Sequence, residues 1–115
     1  MITVYGLKNC DTCRKALKWL AAEDIAHAFR DVRADGVTAA DVGRWADAVG
    51  WETLLNRRGT TWRGLPDGDI ADVDAAKALT LMAAHPALIK RPVFQKGDAV
   101  VVGFKADQQA AVKAL

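Results

Sequence analysis

Ile2-Thr3-Val4-Tyr5-Gly6-Leu7-Lys8-Asn9-Cys10-Asp11-Thr12-Cys13, residues 2–13 of the chain, changes its hydrophobic period halfway along, and that change decides the fold. Residues 2–5 are β-branched or aromatic and Gly6 ends the run, which predicts a short buried strand. Beyond Leu7-Lys8-Asn9 the apolar residues recur at helical spacing. Ala16, Leu17, Trp19 and Leu20 make one face, and Arg14, Lys15 and Lys18 keep the other side wet. The helix is expected to start near Cys10 or Asp11 and to end near Glu23-Asp24. Both cysteines of the chain therefore fall at a strand-to-helix junction.

Outward from this segment, residues 26–32 alternate well enough for a second strand, and a right-handed crossover would set the two strands parallel. Thr38, with Asp41 three residues on, caps a helix running to Val49 and closed by Gly50. Trp51 to Leu55 reads as a short helical turn, and residues 56–66 as a polar loop bearing arginines. Asp72 or Asp74 caps a further helix that ends before Pro86. Residues 87–96 hold a strand entered through Pro92. Lys96-Gly97-Asp98 is a turn signal and residues 99–104 are the partner strand, so 93–104 forms an antiparallel hairpin. A last helix covers about 107–115. The order is βαβ, a helical insertion at about 38–85, then ββα, which is the α/β plan of a thioredoxin/glutaredoxin-like fold, predicted here as one domain over 1–115.

The totals fit one such domain: 115 residues, 51% hydrophobic and 26% charged. A net charge of +2 without a basic run gives no reason to expect nucleic-acid binding. The N-terminus lacks the pattern of a signal peptide, and no apolar tract approaches the ~18 residues of a membrane span. Cytoplasmic residence is the expectation. Two cysteines in one C-x-x-C point to redox or metal chemistry rather than to a secreted disulfide scaffold. A zinc site would need four ligands, and only His27 and His85 remain to supply them, so no metal is expected.

Cys10 is the expected nucleophile. Its reactive form is the thiolate, and a helix N-terminus lowers a thiol's pKa. Lys8, Arg14 and Lys15 add positive charge nearby, with Asp11 opposing it. Cys13, one turn on, is a candidate resolving thiol, or else a core residue on the first helical turn. X–Pro bonds readily go cis, and thioredoxin folds place a cis-proline opposite the reactive cysteine, so Pro92 is read in that role. Arg91 then lies beside the thiol, where a guanidinium suits a thiolate, carboxylate or oxyanion. Arg57, Arg58 and Arg63 lie on the loop. Trp19, Trp45 and Trp51 are read as core.

Residues 5–12 (Tyr5 to Thr12), 50–63 (Gly50 to Arg63) and 86–92 (Pro86 to Pro92) resemble, in this order, the ArsC/Spx family, with the YffB-like branch nearest. The resemblance spans essentially the whole chain. It implies a glutaredoxin-like fold with a helical insertion and Cys10 as the attacking cysteine. Arg91 matches the arginine before the cis-proline, and the loop arginine falls on Arg58, with Arg57 as the alternative because the match slides there. Lys8, Asn9, Thr12, Arg58, Arg91 and Pro92 are the expected binding set around the thiol. The arsenate enzymes carry a histidine at the position of Gly6, a serine at that of Cys13 and an arginine where this chain offers only Lys105. The resemblance thus implies a glutathione-dependent thiol–disulfide reductase. It would have no bound cofactor, glutathione as co-substrate, glutaredoxin as a further partner, and a monomeric state. The alternatives it leaves are arsenate reduction coupled to glutathione and glutaredoxin, and Spx-like redox-sensitive binding of RNA polymerase.

Overall fold

Alternating burial along Ile2–Gly6 (β1) places Ile2, Val4 and Gly6 on the inner face, the expected result of a period of two. The computed structural model describes all 115 residues, Met1–Leu115, in two compact units. The first unit comprises Met1–Asp35 and Arg91–Leu115. It contains β1, α1 (Asp11–Ala22), β2 (His27–Asp31), a hairpin of Val93–Lys96 and Ala99–Val102, and a C-terminal helix, Ala106–Lys113. Its four strands run in the spatial order second, first, third, fourth. The first two are parallel; the third is antiparallel to the first and to the fourth. This is the thioredoxin-like α/β arrangement that the element order predicts.

Helix α1 buries Cys13, Ala16 and Leu20, while Arg14, Lys15 and Lys18 stay exposed. The unit's core joins Ile2, Val4, Ala16, Leu20, Phe94 and Val112. Phe104 packs against this cluster and meets Phe94 at 6.4 Å and Trp19 edge-on at 5.5 Å. The hairpin turns on Gly97 and Asp98, and the φ of 60° at Gly97 is the left-handed conformation that a first loop residue of this kind takes.

The second unit, Gly36–Lys90, is helical and spans the segment read as an insertion. Thr38 caps α2 (Ala39–Val49) through a reciprocal box with Asp41, and Asp74 caps α6 (Ala75–Ala84) by accepting from the Lys77 N–H. Between them lie α3 (Trp51–Leu54), α4 (Thr60–Arg63) and α5 (Asp67–Ile70). The segment read as a polar loop, 56–66, thus winds into a one-turn helix at α4, and a second one-turn helix, α5, follows directly after it. Each has only four residues, too few to show an apolar period. Strand boundaries also differ: Pro86–Leu88 is a 3₁₀ turn, the third strand begins only at Val93, and the fourth ends at Val102. Of the three tryptophans read as core, only Trp45 is fully buried. Trp19 and Trp51 are half-buried, and the Arg57 guanidinium lies 5.2 Å over the Trp51 ring and 5.9 Å from that of Trp62. No helix is long and apolar enough to cross a membrane.

Candidate active site around Cys10

Sheet register builds the site. In the parallel pair Gly6 stands opposite Asp31, and in the antiparallel pair Tyr5 stands opposite Val93. Continuing that second register past its last pair sets Pro92 level with Gly6 and Arg91 level with Leu7. Three chain segments therefore converge where β1 passes into α1. The Arg91–Pro92 peptide is cis, as expected from the fold, and Pro92 is buried.

Cys10 is the N-cap residue of α1, with extended backbone (φ −102°, ψ 120°). No side-chain hydrogen bond caps the helix in this state, yet the Cys13 N–H lies close enough to the Cys10 sulfur to stabilise charge there. Burial pushes the Cys10 thiol upward. The Cys13 N–H, then the Arg91 guanidinium, then the Cys13 thiol outweigh it, leaving the pKa below the ordinary thiol value. The flanking cations contribute differently from the expectation. Arg14 turns to the Asp11 carboxylate (3.2 Å) and donates through Nε to the Lys8 carbonyl (3.2 Å), so Arg91 supplies the charge that counts.

Cys13 is 1% exposed, and its thiol is pushed up to about 11, chiefly by burial and then by the neighbouring Cys10. Its sulfur fills the space over Gly6: a Cβ there would collide with it and would touch the Phe29 ring at 3.4 Å. Alanine at position 6 is therefore expected to destabilise the protein by about 1–3 kcal/mol, the range of overpacked cores. Adding Cys13→Ala to the same chain should recover part of that loss. Strictly additive losses in urea unfolding of the two single variants and the pair would refute the contact.

Asp31 ends β2 and is 8% exposed. Its Oδ1 accepts the N–H groups of Arg33 (2.8 Å) and Ala34 (2.9 Å), and its Oδ2 accepts the Lys8 N–H (3.0 Å). The Ala34 and Lys8 N–H groups lead in holding its carboxyl below the ordinary carboxylate value. Leu7, Lys8, Asn9, Cys10, Asp31, Arg33, Ala34 and Arg91 line a cavity of about 510 Å³, all of them from the first unit.

Of the residues expected from the sequence, Lys8, Asn9, Cys10 and Arg91 meet at this cavity. Thr12 is exposed on the first turn of α1 and is not part of the lining. Arg58 belongs to the second unit, where its N–H donates to Asn56 Oδ1 and its carbonyl accepts from Arg63. Asp31, Arg33 and Ala34 were not among the expected residues. An aspartate at a strand end with two residues before the next amide pair is the signal of a side-chain-closed turn, and it could have marked them.

The ArsC family model matches residues 5–112. An uncharacterized protein of Haemophilus influenzae is 42% identical over 111 residues, covering 96% of this chain and 97% of its own length. The global transcriptional regulator Spx of Staphylococcus aureus is 24% identical over 110 residues, covering 94% and 83%. Among solved structures, a YffB protein superposes with a TM-score of 0.91 at 46% identity, over 96% of this chain and 97% of that one. An arsenate reductase related protein from Brucella melitensis does so with a TM-score of 0.77 at 45% identity, over 99% and 95%.

Proposed function

This chain belongs to the ArsC family, and from that premise we propose that it is a glutathione-dependent thiol–disulfide reductase with Cys10 as nucleophile. The carrying observation is a thiol at the N-cap position of α1 whose charged form is favoured by the Cys13 N–H and the Arg91 guanidinium at an open cavity. The Cys10 thiolate attacks one sulfur of a glutathione mixed disulfide. A Cys10–glutathione disulfide forms, the old S–S bond breaks, and the substrate leaves as a thiolate. A second glutathione thiolate then attacks the glutathione sulfur of this adduct, releasing oxidised glutathione and restoring the Cys10 thiolate. Cys13 supports this external resolution. A buried thiol with a pKa of about 11 is almost wholly protonated at neutral pH and attacks poorly.

The test is the pH profile of Cys10 alkylation, read with mass spectrometry of the glutathione adduct, in the parent and in Arg91→Ala. The parent is expected to titrate below the ordinary thiol value and to form the adduct. Loss of Arg91 should move the midpoint upward and slow alkylation at neutral pH roughly three- to ten-fold. An unshifted thiol that takes up no glutathione sinks the reading.

The alternative with a specific observation behind it is redox-sensitive binding of RNA polymerase, since an Spx protein is a relative and the two thiols lie one turn apart. A polymerase pull-down that depends on the oxidation state of Cys10 and Cys13, without reductase turnover, would favour it. Arsenate reduction coupled to glutathione and glutaredoxin is the third reading. Gly6 and Lys105 weigh against it, because a lysine lacks the planar fork that grips an oxyanion.

A further inference from the structure

Beside Cys10 and its partner Arg91, the cavity carries two further cations, Lys8 and Arg33, neither of which forms a salt bridge. Their backbones are fixed by one group: Asp31 Oδ2 accepts the Lys8 N–H and Asp31 Oδ1 accepts the Arg33 N–H. A single buried carboxylate thereby sets the separation of the two segments, one from the β1–α1 turn and one from the end of β2. Asp31 spends its acceptor capacity on backbone amides, three of them, rather than on the cationic side chains. Lys8 and Arg33 are both exposed and belong to the same cavity lining as the thiol, and while the Lys8 charge also favours the Asp31 carboxylate, Arg33 has no carboxylate partner.

We propose that Arg33, set beside Lys8 by the Asp31 clamp, forms an anion subsite that receives a carboxylate of the small thiol or disulfide whose sulfur reaches Cys10. The subsite deepens the reductase reading and rests on it for the identity of that thiol. Arg33 acts as a specificity residue: it selects anionic reactants and takes no part in the exchange of sulfur. A guanidinium offers a fork matched to a carboxylate, and an exposed pair of this kind is worth only a modest factor that salt screens.

The experiment compares Cys10 alkylation by iodoacetate, which is anionic, with that by iodoacetamide, which is neutral. In both, the thiolate displaces iodide, forming a C–S bond. Because the same thiolate attacks both reagents, their rate ratio cancels any change in thiolate fraction. Dividing by the ratio for free cysteine removes the reagents' own difference in reactivity. The normalised ratio is expected to exceed one at low salt and to fall about three-fold in Arg33→Gln and about ten-fold in Arg33→Glu. Arg33→Lys should hold most of it, and high salt should abolish it. Equal ratios in the parent, Arg33→Gln and Arg33→Glu overturn the subsite. A glutathione adduct on the parent is scored separately. An adduct with an unresponsive ratio sinks the subsite and keeps the reductase reading. A responsive ratio without an adduct keeps the subsite and sinks that reading.

Discussion

Serine at position 10 is expected to bring glutathione-dependent disulfide reduction down to the uncatalysed background, a loss of about 10³-fold or more. Serine at position 13 is expected to cost less than about ten-fold, even though the two sulfurs are one helical turn apart. The asymmetry follows from their surroundings. Cys10 sits at the cavity with its charge favoured by an N–H, a guanidinium and a neighbouring thiol. Cys13 is sealed beneath it, and burial raises its pKa to about 11, so at neutral pH that thiol stays almost wholly protonated. Turnover measured by coupled NADPH consumption, with glutathione as the resolving thiol, separates the two. Near-complete loss in Cys13→Ser would mean that the inner sulfur resolves the intermediate after all. The Cys10 part also has a pH signature. With its pKa lowered, alkylation of the parent should already be near its plateau at a pH where an ordinary thiol is still gaining rate.

The second large effect is on stability. Phe94→Ala is expected to lose about 3–5 kcal/mol, the usual range for truncating a buried phenylalanine. Phe94 is fully buried in the cluster formed with Ile2, Val4, Ala16, Leu20 and Val112, and its ring also meets Phe104. Against a total of about 5–15 kcal/mol for a domain, that is a substantial share. The urea midpoint should drop with the slope unchanged. A loss under about 1 kcal/mol would contradict the packing. Because Phe94 follows Arg91 by three residues, the alkylation midpoint of Cys10 in the surviving folded protein reports whether the guanidinium keeps its place.

The sheet and α1 were legible because their signals are local. Residues 2–5 carry a strand period, residues 16–20 a helical one, and Gly97-Asp98 carries its turn chemistry between two apolar runs. Cys10 stood out because a thiol at a strand-to-helix junction has a physical reason to be reactive, and Arg91 because it precedes a proline entering a strand. The four-residue helices α4 and α5 were hidden, since a single turn in polar sequence shows no periodicity. Asp31 was hidden for another reason. Its partners are backbone N–H groups, and the one on Lys8 is brought near by sheet register across 23 positions of sequence. Arg14 misled in the opposite direction. Its place in the sequence is close to the thiol, while its side chain is committed to Asp11 and to the Lys8 carbonyl.

The sulfur of Cys13 resting on Gly6 has a consequence for descent. Positions 6 and 13 behave as one heritable character, since the space over the strand admits a side chain from below or a sulfur from the helix above, and both together only under strain. A lineage with a bulky residue at position 6 could gain the inner cysteine only after that residue had first shrunk to glycine. The inner cysteine, once present, closes the way back. Among relatives of this chain, cysteine after the turn should be accompanied by glycine before it, and sequences holding the glycine without the cysteine should mark the intermediate step of the exchange.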